Sequence, residues 1–106
     1  MNHNLKKELE NRVLVLDGGM GTMVQKYGLT ESDYRGARFA DSEFNQKGNN
    51  DLLCITRPDV IREIHAKYLE AGADIIETCS FNSQRISMSD YGMEGNIREL
   101  NIAAAR

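Results

Sequence analysis

The chain has 106 residues, of which 41% are hydrophobic and 27% are charged, a composition typical of one globular domain. Its 13 basic and 16 acidic residues give a formal net charge of −3. No basic run exceeds Lys6-Lys7, so the charge pattern argues against nucleic acid as a partner. The apolar runs are too short for a membrane span or a signal peptide, which predicts a cytoplasmic protein whose Cys54 and Cys79 are reduced.

The first predicted strand leads into a glycine-rich turn. Residues 1–11 are polar and are interpreted as an N-terminal leader. The four apolar residues at 13–16 predict a short strand buried on both faces, as in a parallel sheet. The turn Asp17-Gly18-Gly19-Met20-Gly21 then places a carboxylate and unhindered backbone N–H groups just past the carboxyl end of this strand. In α/β folds, ligands bind at that end of the strands.

The turn is followed by a short predicted helix and then by a long segment without a regular pattern. A helix is predicted over residues 23–27, because Gly28 is typical of the residue that follows a helix. Residues 29–55 then show neither a helical nor a strand period. A segment of this length in a small domain is usually functional or incompletely formed. We interpret it as an ordered cap or wall, because it has apolar surface to bury at Tyr34, Phe39 and Phe44.

The clearest helix begins near Thr56. Thr56 and Asp59 have the spacing of a capping box, Pro58 suits the first helical turn, and the apolar residues that follow recur with the helical period. Gly72 ends this helix. Residues 73–78 form a second predicted strand, which should be parallel to the first because a helix connects the two.

The last predicted helix has no exit signal. Residues 96–106 carry an apolar face up to the end of the sequence, with no Gly, Asn or Pro that would stop the helix. Two strand-plus-helix units predict an α/β fold of which this chain holds only a truncated part.

Polar side chains follow both predicted strands. Asp17 comes after the first strand, and Glu77 and Thr78 end the second, with Ser80 and Asn82 close behind. Adjacent parallel strands end at the same edge of a sheet, so these groups should form the rim of a pocket.

Other interpretations of the glycine turn are possible. A dinucleotide-binding turn needs a third glycine where Val24 stands, and a phosphate-binding P-loop needs a Gly-Lys-Ser/Thr sequence that is absent. The turn could also be a structural connection in which Asp17 only caps the following helix. The spacing alone does not exclude such a structural connection.

Metal and thiol chemistry have few candidate residues. A catalytic zinc needs three protein ligands, and the available cysteines and histidines are not spaced as pairs. His65 is interpreted as a residue of the helix surface, and Cys79 as a small buried residue or a thiol in the pocket wall. A nucleophilic Cys79–His65 pair is disfavoured, because a helix interior presents a base poorly. The four candidates considered are His3, Cys54, His65 and Cys79.

Five strings of the sequence carry a family resemblance: LDGGMGTMVQ, RGARFAD, KGNNDLL, RPDVIREIHAKYLEAGADIIET and FNSQRISMSDYGME. They resemble the homocysteine-binding S-methyltransferase region of cobalamin-dependent methionine synthases. The RGARFAD and KGNNDLL strings distinguish this group from shorter relatives that use betaine or S-methylmethionine. The resemblance implies that residues 12–106 are the N-terminal part of a (β/α)8 TIM barrel, which needs about 250 residues when complete.

The resemblance also implies site residues. Asp17, with the backbone of Gly18 and Gly19, would lie at the amino-acid end of homocysteine, and Thr78 would add a polar contact. Related sequences often read Glu-Thr-Asn-Thr-Phe where this one has Glu77-Thr78-Cys79-Ser80-Phe81, so no role is carried over for the Asn position. The family's three zinc-binding cysteines would lie beyond Arg106. Neither Cys54 nor Cys79 is therefore expected to bind zinc.

The implied activity is methyl transfer from methylcobalamin to zinc-bound homocysteine, which yields methionine. Methyltetrahydrofolate would supply the methyl group through a downstream domain, and the isolated chain would be inactive with no bound cofactor. The alternative is a non-catalytic α/β module that binds a small ligand or a partner. Because part of the barrel would be missing, we expect self-association, by edge pairing or through the helix faces of Ile61, Ile64, Ile97 and Leu100.

Overall fold

A computed structural model describes residues 5–106 of the chain. Residues 1–4 of the predicted leader, with the candidate ligand His3, lie outside the described residues. Two 3-10 turns, Asn50–Leu52 and Glu94–Asn96, precede α4 and α7. None of the helices in residues 5–106 is both long enough and apolar enough to span a membrane. The helices are α1 (Leu5–Asn11), α2 (Met20–Gln25), α3 (Glu31–Arg35), α4 (Leu53–Thr56), α5 (Pro58–Glu70), α6 (Arg85–Ser89) and α7 (Ile97–Ala105).

The prediction of an α/β fold, and with it of the opening units of a TIM barrel, is wrong: residues 5–106 form helices and no sheet. The two predicted strands meet at one isolated parallel bridge, between Leu16 and Ile75. The first segment is largely exposed, since Val13 is 87% exposed, Val15 52% and Leu16 56%. A single bridged pair has no neighbour on either edge, so it cannot propagate into a ladder.

The carboxylate of Asp74 stabilises the bridge through two hydrogen bonds. Asp74 accepts hydrogen bonds from the backbone N–H of Val15 and from the guanidinium of Arg12, both at 3.0 Å. The N–H of Ile75 donates to the carbonyl of Val15 at 3.2 Å. The parallel direction predicted for the two segments is confirmed at this bridge.

Helix α5 confirms the predicted helix but not its predicted cap. Pro58 occupies its first turn, and Gly72, with φ of +112°, follows its end. Thr56 does not cap it, because its hydroxyl donates to the carbonyl of Leu52 at 3.3 Å. Asp59 pairs with Arg57 instead.

A capping box does occur, in the segment that has no sequence period. The Thr30 hydroxyl accepts from the N–H of Asp33, and the Asp33 carboxylate accepts from the N–H of Thr30 at 2.8 Å. Asp33 also pairs with Arg57 at 3.3 Å, which connects the start of α3 to the start of α5.

The remainder of this segment, residues 29–55, is held by half-buried and buried polar groups. The Glu31 carboxylate accepts from the backbone N–H groups of Gln46 and Lys47 and from Arg35 at 2.6 Å. Gln46 is fully buried and donates through its side chain to the carbonyl of Tyr91 at 2.8 Å. The predicted ordered cap is confirmed in this respect.

The aromatic residues of the segment have different surroundings. Tyr34 is buried and donates to Asn50 at 3.0 Å, and Phe39 packs against a core cluster. Phe44 remains 47% exposed.

The core holds the faces that were expected to mediate self-association. Ile61, Ile64 and Leu100 are buried within one chain, and Ile97 packs against the cluster that contains Leu100. Association through these helix faces is therefore a wrong prediction, because the surface is already covered.

Candidate functional site

Three of the four predicted site residues line one cavity of about 340 Å³. The glycine turn forms one wall, and the segment after the bridge forms another. Asp17, Gly18 and Thr78 belong to this lining, whereas Gly19 does not. The lining residues are Asp17, Gly18, Met20, Gly21, Asn50, Asp51, Glu77, Thr78, Cys79, Phe81 and Asn82.

The Asp17 carboxylate is held by one oxygen only. Its Oδ2 accepts from the backbone N–H of Glu77 at 3.1 Å, and its own N–H donates to the carbonyl of Ile75 at 3.0 Å. Its Oδ1 is buried and has no hydrogen-bond partner in the described residues. Asp17 does not cap α2, since Gly19 is the N-cap residue and no side chain caps it. A buried acceptor without a donor calls for an explanation, and a ligand is one.

The glycine turn is fixed from the side of α5. The hydroxyl of Tyr68 donates to the carbonyl of Gly19 at 3.2 Å. A Cβ on Gly18 would lie only 2.9 Å from that hydroxyl oxygen. The backbone N–H groups of Gly18 and Gly19 have no partner among residues 5–106. They remain available as donors, with no side chain to hinder their approach to a ligand.

Thr78 presents a hydroxyl at the opposite wall. Its Oγ1 lies 2.6 Å from Oγ of Ser80, and either group can be the donor. The residue is exposed, so its hydroxyl retains room for a further hydrogen bond.

Asp51 is a cavity residue that the sequence analysis missed. It is 3% exposed, and its Oδ2 accepts from the N–H of Asn82 and from the hydroxyl of Ser83, both at 2.8 Å. Its only sequence signal is its position within the KGNNDLL string. Together with Asp17 and Glu77 it gives the lining, as far as residues 5–106 form it, three carboxylates and no Lys, Arg or His. The cavity therefore favours a ligand that carries a positive group.

Both cysteines are buried beside this cavity as free thiols. The Cys54 thiol donates to the carbonyl of Cys79 at 3.6 Å, and the Cys79 thiol donates to Asp51 at 3.7 Å. The hydrogen bond with Cys54, burial and the Asp51 carboxylate all raise the pKa of the Cys79 thiol. Cys79 therefore stays protonated at neutral pH, which makes it a poor nucleophile. No hydrogen bond joins it to His65 in the described part of the chain.

A second cavity, of about 570 Å³, adjoins the first. It lies between α5 and the end of α7, and its lining includes Cys54 and His65. Glu77 and Thr78 line both cavities, so the two are separated by one short stretch of chain.

A family comparison covers the part of the chain that forms this cavity. The family model for homocysteine S-methyltransferase matches residues 14–106, which include the glycine turn, the bridge and all residues of the first cavity. The match supports a methyltransferase. The chain belongs to the homocysteine S-methyltransferase family, and homocysteine is the substrate that membership implies. The resemblance noted in the sequence is confirmed at the level of this family.

Proposed function

We propose that the 340 Å³ cavity binds the amino-acid end of homocysteine, whose thiol then receives a methyl group. The observation that carries this proposal is the buried Oδ1 of Asp17, which has no partner among residues 5–106. Homocysteine supplies an ammonium group that can donate to this oxygen. An ammonium also suits a lining whose described residues include three carboxylates and no basic side chain.

The other residues are assigned to the carboxylate and ammonium groups of the substrate. The free N–H group of Gly18, which lines the cavity, donates to the substrate carboxylate, since a glycine turn lets an anion approach the peptide closely. Thr78 adds a hydrogen bond from the opposite wall. Asp17 acts on the ammonium, and Asp17, Gly18 and Thr78 bind substrate without taking part in bond making.

The resemblance implies a zinc ion at the substrate thiol, and the described residues do not fit one. In residues 5–106, no three His, Cys, Asp or Glu side chains lie close enough together to hold a metal ion. The thiols of Cys54 and Cys79 are engaged with a carbonyl and a carboxylate. We assign no zinc ligand here, and no step of the proposal uses zinc.

This assignment predicts the metal content of the 106-residue chain. We expect it to retain no stoichiometric zinc after dialysis at neutral pH, and to show no turnover of homocysteine. Metal analysis of the purified chain measures the first, and methionine formation measures the second. One tightly held zinc per chain would contradict the assignment, and Cys54→Ser and Cys79→Ser would then identify its ligands.

The finer proposal is that the parent protein is a cobalamin-dependent methionine synthase of the cytoplasm. The RGARFAD and KGNNDLL strings support it, since they resemble that group of enzymes. On this proposal, methylcobalamin is the methyl donor, and methyltetrahydrofolate reloads it. Zinc, cobalamin and folate would be bound by other parts of the protein.

Titration calorimetry with L-homocysteine tests the site directly. Asp17→Asn keeps an oxygen for the Glu77 N–H but removes the charge that faces the ammonium, so binding should weaken by about 1–3 kcal/mol. Thr78→Val should weaken it by about 0.5–1.5 kcal/mol. Asp41→Asn is the matched control, because this exposed carboxylate lies outside the cavity. Equal affinities for the wild-type and Asp17→Asn chains would contradict the proposal.

A further inference from the structure

Tyr68 joins the longest helix to the glycine turn. Helix α5 is anchored in the core by Ile61 and Ile64, and the Tyr68 side chain packs against the same core cluster. Its hydroxyl donates to the carbonyl of Gly19 at 3.2 Å. The residue does not line the 340 Å³ cavity, so it can act on a ligand there only through the turn.

We infer that Tyr68 is a positioning residue of the homocysteine site, an inference that rests on the function proposed above. Two adjacent glycines have more conformational freedom than any other pair of residues. A ligand that needs the Gly18 N–H group in one orientation would have to restrict that freedom on binding. A hydrogen bond from a rigid helix to the Gly19 carbonyl restricts it beforehand, which preserves affinity.

The fit between Tyr68 and Gly18 gives a second, independent argument. Gly18 is absent from the glycines with positive φ, so its backbone conformation is open to an alanine. The surrounding space does not admit an alanine, because its Cβ would lie 2.9 Å from the Tyr68 hydroxyl oxygen and 3.2 Å from the tyrosine ring. The end of the tyrosine side chain would have to move away. Gly18→Ala should therefore break the same hydrogen bond that Tyr68→Phe removes.

A double-mutant cycle measures this coupling. Tyr68→Phe should weaken homocysteine binding by about threefold to tenfold, the effect of losing one hydrogen bond that orders the site. In the Gly18→Ala background the same change should have no further effect, because the bond is already broken. Tyr91→Phe is the matched control, since Tyr91 lies in the other core cluster and outside the cavity.

Two readouts separate positioning from plain stability. The carbonyl ¹³C resonance of Gly19 should shift in Tyr68→Phe and in Gly18→Ala, but not in Tyr91→Phe. The thermal midpoint of Tyr68→Phe should change no more than that of Tyr91→Phe. Wild-type affinity in Tyr68→Phe, or fully additive effects in the cycle, would overturn the positioning role alone. A wild-type chain that binds no homocysteine would instead overturn the proposed function, and the positioning role with it.

Discussion

Two regions of the molecule reverse what their sequences indicate. Residues 13–16 form an apolar run that predicts a buried strand, yet Val13 is 87% exposed and the run makes one bridge. Residues 29–55 have no period, yet Leu52 and Leu53 are fully buried, and so is Gln46. The better-buried region is the one whose polar groups find partners within the same chain.

The difference follows from what each region needs. A strand needs neighbours on both edges and cover on both faces, and a single parallel bridge supplies neither. A loop needs its backbone groups paired, and the Arg35 guanidinium alone donates to the carbonyls of Ala40, Ser42 and Phe44. Apolar content therefore determines burial only where other elements supply the partner surface.

The largest expected effect compares two apolar side chains. Leu53→Ala should lower the free energy of unfolding by about 2–5 kcal/mol, because it opens a cavity in the core. Val13→Ala should change it by less than about 0.5 kcal/mol, because this side chain is already in solvent. Urea denaturation of both variants measures the difference. Similar losses for the two would mean that residues 13–16 are buried in solution.

The next prediction concerns the hydrogen bonds of the Glu31 carboxylate, which hold residues 29–55. Glu31→Gln should lower the free energy of unfolding by about 1–3 kcal/mol, since it weakens the hydrogen bonds from Arg35, Gln46 and Lys47. Glu43→Gln is the control, because Glu43 is exposed in the same segment. A loss equal to that of the control would show that the network does not hold residues 29–55.

The same carboxylate makes the free energy of unfolding depend on pH. Burial raises the pKa of Glu31, but the hydrogen bonds from Arg35, Gln46 and Lys47 outweigh burial and lower it from the usual 4.5. A folded-state pKa below the unfolded one contributes stability above pH 4.5, and that stability is lost as the pH falls through the folded value. The difference in unfolding free energy between wild type and Glu31→Gln should therefore shrink below pH 4.5. A constant difference down to pH 2 would contradict this assignment.

The smallest expected effect concerns the exposed apolar residues. Phe81 is 93% exposed, Ile86 80% and Val13 87%, so we expect weak self-association of the chain at micromolar concentration. Light scattering as a function of concentration measures it. Val13→Asp and Phe81→Ser should each reduce the association, whereas Asp90→Asn should not. A wild-type chain that stays monomeric would show that these side chains are simply solvated.

The sequence predicted the limits of the longest helix well, and side-chain partners and tertiary structure poorly. The limits of α5 depend on Pro58 and Gly72, which act through their own backbone geometry, and both were correct. The capping box was assigned to Thr56 and Asp59 and belongs to Thr30 and Asp33, because Thr56 and Asp59 bond to other nearby residues, Leu52 and Arg57.

The candidate site shows the same division. Asp17, Gly18 and Thr78 were brought to one cavity as the motif and the resemblance predicted, although no sheet carries them. Asp51 and Tyr68 were missed. Each reaches the site through a partner that is distant in sequence: Ser83 for Asp51, and Gly19 for Tyr68. No local pattern encodes such a pairing.

The bond between Gln46 and Tyr91 has a consequence for the order of events during synthesis. The Gln46 side chain is fully buried, and its donor reaches a carbonyl 45 residues later in the chain. As the chain leaves the ribosome, residues 29–55 emerge well before Tyr91. The Gln46 side chain therefore stays hydrated until Tyr91 has also emerged. The early half of the polypeptide therefore completes its interior only after most of the late half has been translated.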